Sequence, residues 1–438
     1  MAQPAGLASS LLPHKQFGKI DGFLLAASIL VQVVLALFLG HAYDVRIFMS
    51  TGYLVGTGQN PYIAQDLSAV FHDAGFQGIT TLGYFPPWAL VLGAIYLLSY
   101  HLVPNFLLYN LAIKLPVIAT NICLAFLVRS ILGRMGITEK NVRRAWIFLL
   151  FNPFLLLMSS AWGQFDSIVA LLSLLSLLSI SEGKLAGPAV LLALAISLKP
   201  IALPLMLVIF VFLAGRSIKQ TISFFAVFGA GVVLFCAAPF ALFGWSAAPI
   251  LQHWDFHFAV GGGLSFMTFL EYTQWSYALP GSSWFLGWLW VPALGIATYI
   301  IKGRVKDFKD LIKTSAALVL VFYLCRAWVA ETNVVLLLPL ILIMVSAKEL
   351  NRISLSAVWA LTLIFSFFNT SLFQLLFPSL PGLMNGLLKL AGDFETARYV
   401  LRTLVVIAWL VSGWWIAITC LKRGPMKPET IHAGTMEN

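Results

Sequence analysis

Several ionisable side chains in this chain lie directly beside long apolar segments, where a charge is costly to bury. The first is Asp44, in the string Tyr43-Asp44-Val45-Arg46, just after an apolar run that ends at Gly40. A carboxylate at the mouth of a helix can act as a general base and take a proton from an acceptor hydroxyl. A solvated loop acid has the same spacing, and the spacing alone favours this plainer interpretation.

A second acid, Asp166, ends the polar string Ser160-Ala161-Trp162-Gly163-Gln164-Phe165-Asp166 between two apolar helices. Polar groups at membrane depth are costly and indicate a functional role by default. Asp166 also suits the N-cap of the following helix, where a carboxylate accepts from free backbone N–H groups. The two interpretations are compatible.

Two lysines are embedded in apolar sequence. Lys199 stands between Leu198 and Pro200, where its ammonium could bind a phosphate as a point charge or extend to the membrane interface. Lys114 poses the same question. For Lys114 the plainer interpretation is stronger, because no other charged side chain is near it in sequence.

Arg326 and Glu331 lie five residues apart and can simply pair with each other. Alternatively, the Arg326 guanidinium binds phosphate oxygens and Glu331 orients a sugar hydroxyl. In the long segment 244–283, the string His253-x-Asp255-x-His257 is only a weak indication of a metal site, because a single such string on a loop rarely binds a metal.

The composition shows what must position these residues. Of 438 residues, 60% are hydrophobic and 10% charged, and the mean hydropathy is +0.92. Soluble domains carry roughly 45–50% apolar and about 25% charged residues, so the sequence predicts an all-α, polytopic membrane protein.

The net charge of +10 does not indicate nucleic-acid binding, because Lys and Arg cluster in short loops between apolar runs. This is the positive-inside pattern of cytoplasmic loops. The four cysteines lie in or beside apolar runs without a CxxC spacing, which argues against disulfides and zinc. The first apolar run lacks an early cleavage site and predicts a retained span.

The sequence predicts about twelve spans in all, with both chain ends cytoplasmic. We expect 86–100 to be interfacial or re-entrant; the alternative counts it as a span and fuses 185–214 into one helix. Pro200 and Pro204 favour a break near Lys199. The predicted spans are 20–40, 105–128, 145–161, 166–181, 185–198, 200–214, 220–243, 284–301, 313–330, 334–347, 354–376 and 398–420.

Several short motifs occur in a suggestive order. After Asp44 come Gly58-Gln59-Asn60-Pro61-Tyr62, Tyr84-Phe85-Pro86-Pro87, Asn152-Pro153 with the Asp166 string, and Lys199 in a Pro-flanked turn. In this order the chain resembles the GT-C superfamily of polyprenyl-phosphate-dependent glycosyltransferases. It looks most like the catalytic subunit of glycosylphosphatidylinositol mannosyltransferase I and its prokaryotic relatives. The resemblance covers about residues 40–215 well.

The resemblance implies a GT-C bundle with a catalytic first outer loop, 41–85, in a membrane module of residues 1–243. A long outer loop, 244–283, and C-terminal helices, 284–438, would follow. It also implies an inverting transfer of a sugar, by default mannose, from a polyprenyl-phosphate donor to an acceptor hydroxyl on a lipid or glycan.

The same resemblance makes Asp44 the general base. Donor phosphate would be bound by Lys199, Arg326 and Arg46, and substrate by Gln164, Asp166, Tyr62, Tyr84, Glu331 and Lys114. Asp44-Val45-Arg46 departs from the family's Asp-x-Asp, which argues against a metal; we expect neither metal nor cofactor.

Two other functions remain open at this point: a polytopic transporter or lipid-linked-sugar flippase, and a non-catalytic assembly subunit in which Asp44 is replaceable. We expect an integral protein of the plasma membrane, with its site on the non-cytoplasmic face.

Overall fold

The computed structural model describes residues 18–79, 82–252, 261–268 and 282–422, and these residues are mostly helical. Helices of ten or more residues are α1 Lys19–Phe38, α2 Ala42–Gly56, α3 Pro86–Leu98, α4 Phe106–Arg134, α5 Glu139–Phe151, α6 Asp166–Ser181, α7 Ala186–Leu198, α8 Leu203–Ala214, α9 Ile218–Val232, α10 Trp290–Ile301, α11 Phe308–Leu324, α12 Leu337–Ser346, α13 Arg352–Phe368, α14 Pro381–Asp393 and α15 Glu395–Leu421.

Shorter elements connect these helices. Two-residue strands pair β1 Leu39–Gly40 antiparallel with β4 Phe377–Pro378, and β2 Gly262–Gly263 parallel with β3 Trp328–Val329. The short helical segments are Ser68–Phe71, Ala74–Phe76, Pro153–Leu155, Leu156–Ala161, Pro200–Ala202, Val233–Ala237, Ala238–Phe243, Ser282–Gly287, Glu331–Leu336 and Ser371–Gln374.

The chain is a multi-pass helical membrane protein. Among the described residues, five helices are long and apolar enough to cross a bilayer: Lys19–Phe38, Phe106–Arg134, Glu139–Ala161, Ile218–Phe243 and Glu395–Leu421. Seven shorter apolar helices of 10–17 residues accompany them. The count of about twelve spans stays a prediction.

The expected break near Lys199 is confirmed, and the fused helix over 185–214 is wrong. α7 ends at Leu198, the Lys199 backbone is extended (φ −155°, ψ 123°), and Pro200–Ala202 forms a tight turn before α8. The missing N–H of proline explains the interruption. α3 has 13 residues and is therefore about 20 Å long, too short to cross a hydrocarbon core of about 30 Å.

The predicted first outer loop contains a helix that we did not expect. α2 buries Val45, Phe48 and Met49 and packs closely on α3. At Gly52 a Cβ atom would lie 2.8 Å from the Leu92 carbonyl oxygen, so only glycine permits this approach. The first turn of α2, which carries Asp44, is thereby held against the bundle.

The helices place the polar residues and the basic loops at opposite ends. α6 and α8 begin at the end that holds Asp166 and Lys199, and they finish beside the basic-loop residues Lys184 and Arg216. α7 and α11 run the other way and finish beside Lys199 and Arg326. We call these the site end and the basic end.

Contacts between loops consolidate the basic end. The Arg134 guanidinium pairs with Glu182 at 2.8 Å, and Arg216 donates to the Lys306 carbonyl oxygen at 2.9 Å. The side-chain hydrogen bonds from Lys184 and Arg134 outweigh partial burial and hold the pKa of Glu182 below its ordinary value.

α1 joins the bundle through polar contacts on its buried face. Gln32 accepts from Asn121 at 2.8 Å and from Ser160 at 2.9 Å, and Ser28 donates to the Leu150 carbonyl oxygen at 2.9 Å. Several of its apolar side chains, Phe23 among them, are exposed. Hydrogen bonds between helices contribute to helix association in membranes, because the hydrophobic effect does not drive association among lipid tails.

Candidate functional site

Asp44 lies in the first turn of α2 at the site end. One of its oxygens, Oδ2, accepts from Trp162 Nε1 at 2.5 Å and from Gln164 Nε2 at 2.8 Å. The Asp44 side chain is 19% exposed, so it is held by two donors and still reachable from outside. Trp162 and Gln164 both come from the polar string that precedes α6.

His41 caps α2 and completes this corner. Its ring stacks on Trp162 with centroids 4.2 Å apart, and its Nδ1 is 3.6 Å from Asp44 Oδ2. Burial lowers the pKa of His41 from its ordinary 6.5, although the negative charges of Asp44 and Glu331 act in the opposite direction. The imidazole is therefore neutral at neutral pH.

Lys199 and Asp166 form a buried ion pair beside the Asp44 corner. Lys199 Nζ lies 2.9 and 2.8 Å from the two Asp166 oxygens, and the residues are 5% and 1% exposed. Lys199 also donates to Gln164 Oε1 at 3.4 Å. Gln164 thus links Asp44 to the Lys199–Asp166 pair, because it donates to Asp44 and accepts from Lys199.

Aromatic rings enclose the Lys199 ammonium. Lys199 Nζ lies 5.3 Å from the centre of the Tyr84 ring and 5.6 Å from that of Phe165. The buried Tyr62 hydroxyl donates to the Tyr84 carbonyl oxygen at 3.0 Å. Burial raises the pKa of Tyr84, although the Lys199 charge opposes it. Tyr84 therefore contacts the Lys199 ammonium with its ring, and Tyr62 holds the Tyr84 backbone in place.

Glu331 and Arg326 do not pair, so that interpretation of the sequence is wrong. Glu331 Oε1 accepts from Asn369 Nδ2 at 2.9 Å and from Ser371 Oγ at 2.8 Å. Between Glu331 and Arg326 runs β3, which pairs with β2 and separates the two side chains. Glu331 faces the end of α13 instead.

Arg326 is half-buried at the end of α11, with its guanidinium 5.2 Å from the centre of the Phe322 ring. The Tyr84 and Tyr323 side chains interact with it electrostatically. Burial lowers the pKa of Arg326. Among the residues that the structure describes, it has no ion-pair partner, and its donors remain available to a ligand.

Two predicted site residues lie outside this group. Arg46 donates to Asp73 Oδ2 from Nε at 3.1 Å and from its terminal nitrogen at 2.8 Å, and it covers the Phe377 ring at 4.3 Å. It joins α2 to the following loop and is already neutralised by Asp73.

Lys114 is fully buried in α4. Its ammonium donates to the carbonyl oxygens of Leu39, Ala36 at 3.3 Å and Ala161 at 2.8 Å. These contacts stabilise the C-terminal end of α1, where free carbonyls favour a cation. The Lys114 ammonium is saturated by the protein itself.

The cluster is thus Asp44, Gln164, Asp166, Lys199 and Tyr84, with Arg326 nearby. Sequence reasoning missed His41, Trp162, Asn369 and Ser371. A histidine three residues before Asp44 was the available signal for His41. Within the described ranges, no group of three His, Cys, Asp or Glu side chains could hold a metal; His253, Asp255 and His257 lie outside them.

Comparison with known families gives a different result from the resemblance in sequence motifs. Residues 84–271 match the family described as PIG-U, GPI transamidase subunit. The match covers less than half of the 438-residue chain and includes Tyr84, Gln164, Asp166 and Lys199. A search of curated proteins found no match.

This similarity overturns the expected glycosyltransferase. GPI transamidase is a multi-protein protease or transamidase complex and not a GT-C enzyme. The resemblance to the mannosyltransferase, the sugar transfer, the role of Asp44 as its base and the polyprenyl-phosphate-sugar donor are therefore wrong, as is the acceptor that went with them. The transporter or flippase alternative has no support either. The short motifs misled because Pro-Pro turns and acids at helix starts serve local backbone structure and do not by themselves indicate a function.

Proposed function

We propose that this chain is a non-catalytic membrane subunit of a complex of the GPI-transamidase type, and that its site end binds the polar headgroup of the lipid anchor. The observation that carries the proposal is the match of residues 84–271 to the PIG-U family. Four of the clustered side chains lie within that match.

The geometry suits binding better than catalysis. A catalytic pair needs a nucleophile or base whose reacting atom is held ready by a partner. Here the Lys199 charge is neutralised by Asp166, and Asp44 Oδ2 is occupied by two N–H donors. Groups held in this way form a rigid, prearranged surface, which lowers the entropic cost of binding a ligand.

Two side chains retain capacity for a ligand. The Asp44 carboxylate is partly exposed and can accept from a hydroxyl or an ammonium group. The Arg326 guanidinium offers donors with the geometry that phosphate oxygens require. A glycolipid headgroup contains both kinds of group, so Asp44 and Arg326 are its proposed contacts. Gln164 holds Asp44 in place, and Lys199 and Asp166 position Gln164.

The proposed orientation places the site on the non-cytoplasmic side. The loops at the opposite end carry Arg134, Lys184 and Arg216, and basic short loops remain in the cytoplasm. For a transamidase subunit the corresponding compartment is the lumen of the endoplasmic reticulum, in place of the plasma membrane first expected. In this proposal the membrane module 1–243 supplies most of the site, and the C-terminal helices 284–438 add Arg326.

The test measures lipid binding and assembly separately. The tagged chain is isolated in mild detergent from its own membranes, and its partners and glycolipid are quantified by mass spectrometry. We expect Asp44→Asn to reduce bound glycolipid about tenfold, the equivalent of one lost charge-assisted contact, while leaving the co-isolated subunits unchanged.

Asp73→Asn is the matched control, since Asp73 is another partly exposed acid, which contacts Arg46 outside the cluster. It should leave the amount of bound glycolipid unchanged. Sugar transfer by the purified chain alone, or equal glycolipid in wild type and Asp44→Asn, would overturn the proposal.

A further inference from the structure

The helix α14, Pro381–Asp393, lies at the site end, between α13 and α15 in the chain. It has 13 residues and is therefore about 20 Å long, too short to cross a hydrocarbon core of about 30 Å. Pro381 at its first position has the fixed backbone angle that starts a helix, and it lacks the N–H that would be unsatisfied there. α14 is thus a well-started helix that does not span the bilayer.

One face of α14 is apolar and exposed. Leu383, Leu387 and Leu390 are spaced by four and three residues, which places them on one stripe of a helix. Leu383 and Leu390 are 52% and 51% exposed. Phe394 follows four residues after Leu390 and is 63% exposed. An exposed apolar stripe of this kind marks a surface that contacts protein or lipid.

The other two faces of α14 have different surroundings. Met384 is buried and Leu388 packs against the hydrophobic core, so this face attaches the helix to the bundle. Asn385, Lys389 and Asp393 recur every four residues and are all exposed, so the third face is polar. A helix with one face on protein, one apolar and one polar fits the boundary between lipid and water.

The next helix decides that the apolar stripe faces lipid. α15 starts directly after Phe394 and is long and apolar enough to span the bilayer. Its other end lies at the basic end, where Arg304 donates to the Leu421 carbonyl oxygen at 2.9 Å. Near the start of α15, Leu401 and Leu404 are already exposed on this spanning helix. The stripe of α14 is therefore continuous with a surface that acyl chains cover.

α14 is also connected to the Asp44 corner. β4 Phe377–Pro378 lies shortly before α14 and pairs with β1, which directly precedes α2. The Arg46 guanidinium of α2 lies 4.3 Å from the centre of the Phe377 ring. A shift of α14 relative to the membrane would thus reach α2 through these contacts, so the depth of α14 and the depth of Asp44 are linked.

We propose that α14 is an interfacial anchor, whose apolar stripe inserts among the acyl chains of the non-cytoplasmic leaflet while Lys389 and the polar face stay among the headgroups. Amphipathic helices of this kind lie in the plane of the interface, with the apolar side about 5–10 Å into the boundary between headgroups and acyl chains. The partner of this face is a lipid surface. The anchor holds the site end at headgroup level, and its lipid contact is independent of the glycolipid proposed for Asp44.

The test uses the full chain in vesicles of phosphatidylcholine and phosphatidylglycerol. Photoreactive benzoylphenylalanine replaces one residue of α14 at a time, and the chain is irradiated and analysed by mass spectrometry. At Leu383 and at Leu390 we expect phospholipid adducts, because the probe reacts with nearby C–H groups of acyl chains. Both side chains are exposed, so the larger probe is accommodated without repacking of the core.

Lys389 and Asn385 are the matched control positions, because they lie on the same helix but on its polar face; there the phospholipid adducts should be lost. Equal adducts at Leu390 and Lys389, or none at Leu390, would contradict the anchor. A crosslink between two chains at Leu390 would also overturn it, because a second copy would then cover the stripe. Asp44→Asn should leave the adducts unchanged, which separates a failure of the glycolipid site from a failure of the anchor.

Discussion

The buried Lys199–Asp166 pair gives the sharpest test of the cluster. Replacing Lys199 by Met keeps the length of the side chain and removes its charge, which leaves the Asp166 carboxylate almost without solvent, at 1% exposure. Removing one partner of a buried ion pair typically costs about 3–5 kcal/mol. Gln164 lies on the Lys199 side of the pair and cannot replace both ammonium contacts of 2.8 and 2.9 Å.

We therefore expect Lys199→Met to lower the free energy of unfolding by about 3–5 kcal/mol. The measurement is reversible unfolding in mixed micelles, followed by tryptophan fluorescence. Adding Asp166→Asn should recover most of the loss, because the uncompensated charge then disappears. The two single variants and the double variant together give the coupling energy of the pair.

Lys184→Met is the matched control. Lys184 pairs with Glu182 at a similar distance, 2.7 Å, but the two side chains are 40% and 32% exposed. Exposed pairs contribute about 0–1 kcal/mol, so this variant should change stability little. The reasoning is refuted if Lys199→Met costs no more than Lys184→Met, or if Asp166→Asn restores nothing.

Three further predictions concern the surroundings of the cluster. Gly40→Ala should lower the free energy of unfolding by about 1–3 kcal/mol in the same assay, because its Cβ would lie 2.8 Å from Val45 and 3.3 Å from Lys114 Nζ. The control is Gly22→Ala, where the added Cβ on α1 meets open space. Equal effects of the two variants would contradict the packing argument. Lys114→Met should cost about 1–3 kcal/mol without altering glycolipid binding, because the Ala161 carbonyl oxygen loses its Lys114 contact while those of Ala36 and Leu39 still accept from Asn110. Lys389→Met on exposed α14 should cost little. A selective loss of binding would instead place Lys114 in the site. Burial lowers the pKa of His41, so the unfolded state binds the proton more readily, and the free energy of unfolding should fall as the pH drops below about 6.5. His41→Phe keeps a ring against Trp162 and should flatten this pH dependence. If the pH dependence is unchanged in His41→Phe, another group is responsible for it.

The sequence predicts the location of the cluster better than its contacts. Alternating apolar helices and basic loops bring Asp166, Lys199 and Arg326 to one end, and the structure shows that arrangement. It could not show that Lys199 pairs with Asp166, 33 residues away, or that Gln164 joins them to Asp44. These contacts depend on how the π-helical turn at Leu156–Ala161 orients the string before α6.

The failures have physical reasons too. Glu331 and Arg326 are close in sequence, but the extended β3 between them turns their side chains to different neighbours. The predicted loop after α1 contains the helix α2 because its first half carries apolar side chains, Val45, Phe48 and Met49, that are buried in the bundle. The resemblance to glycosyltransferases was wrong because it rested on the order of short motifs, and these do not reveal the longer similarity over 84–271.

The polar face of α1 separates two steps of biogenesis. Entry of α1 into the bilayer depends on its exposed apolar side chains, whereas its attachment to the other helices uses the hydrogen bonds of Ser28 and Gln32. A variant such as Gln32→Leu would insert at least as well as the natural helix and yet lose its hydrogen bonds to Asn121 and Ser160. The middle of the first span would then be held less firmly, while the Lys114 contacts would still hold its C-terminal end and β1, which follows it directly.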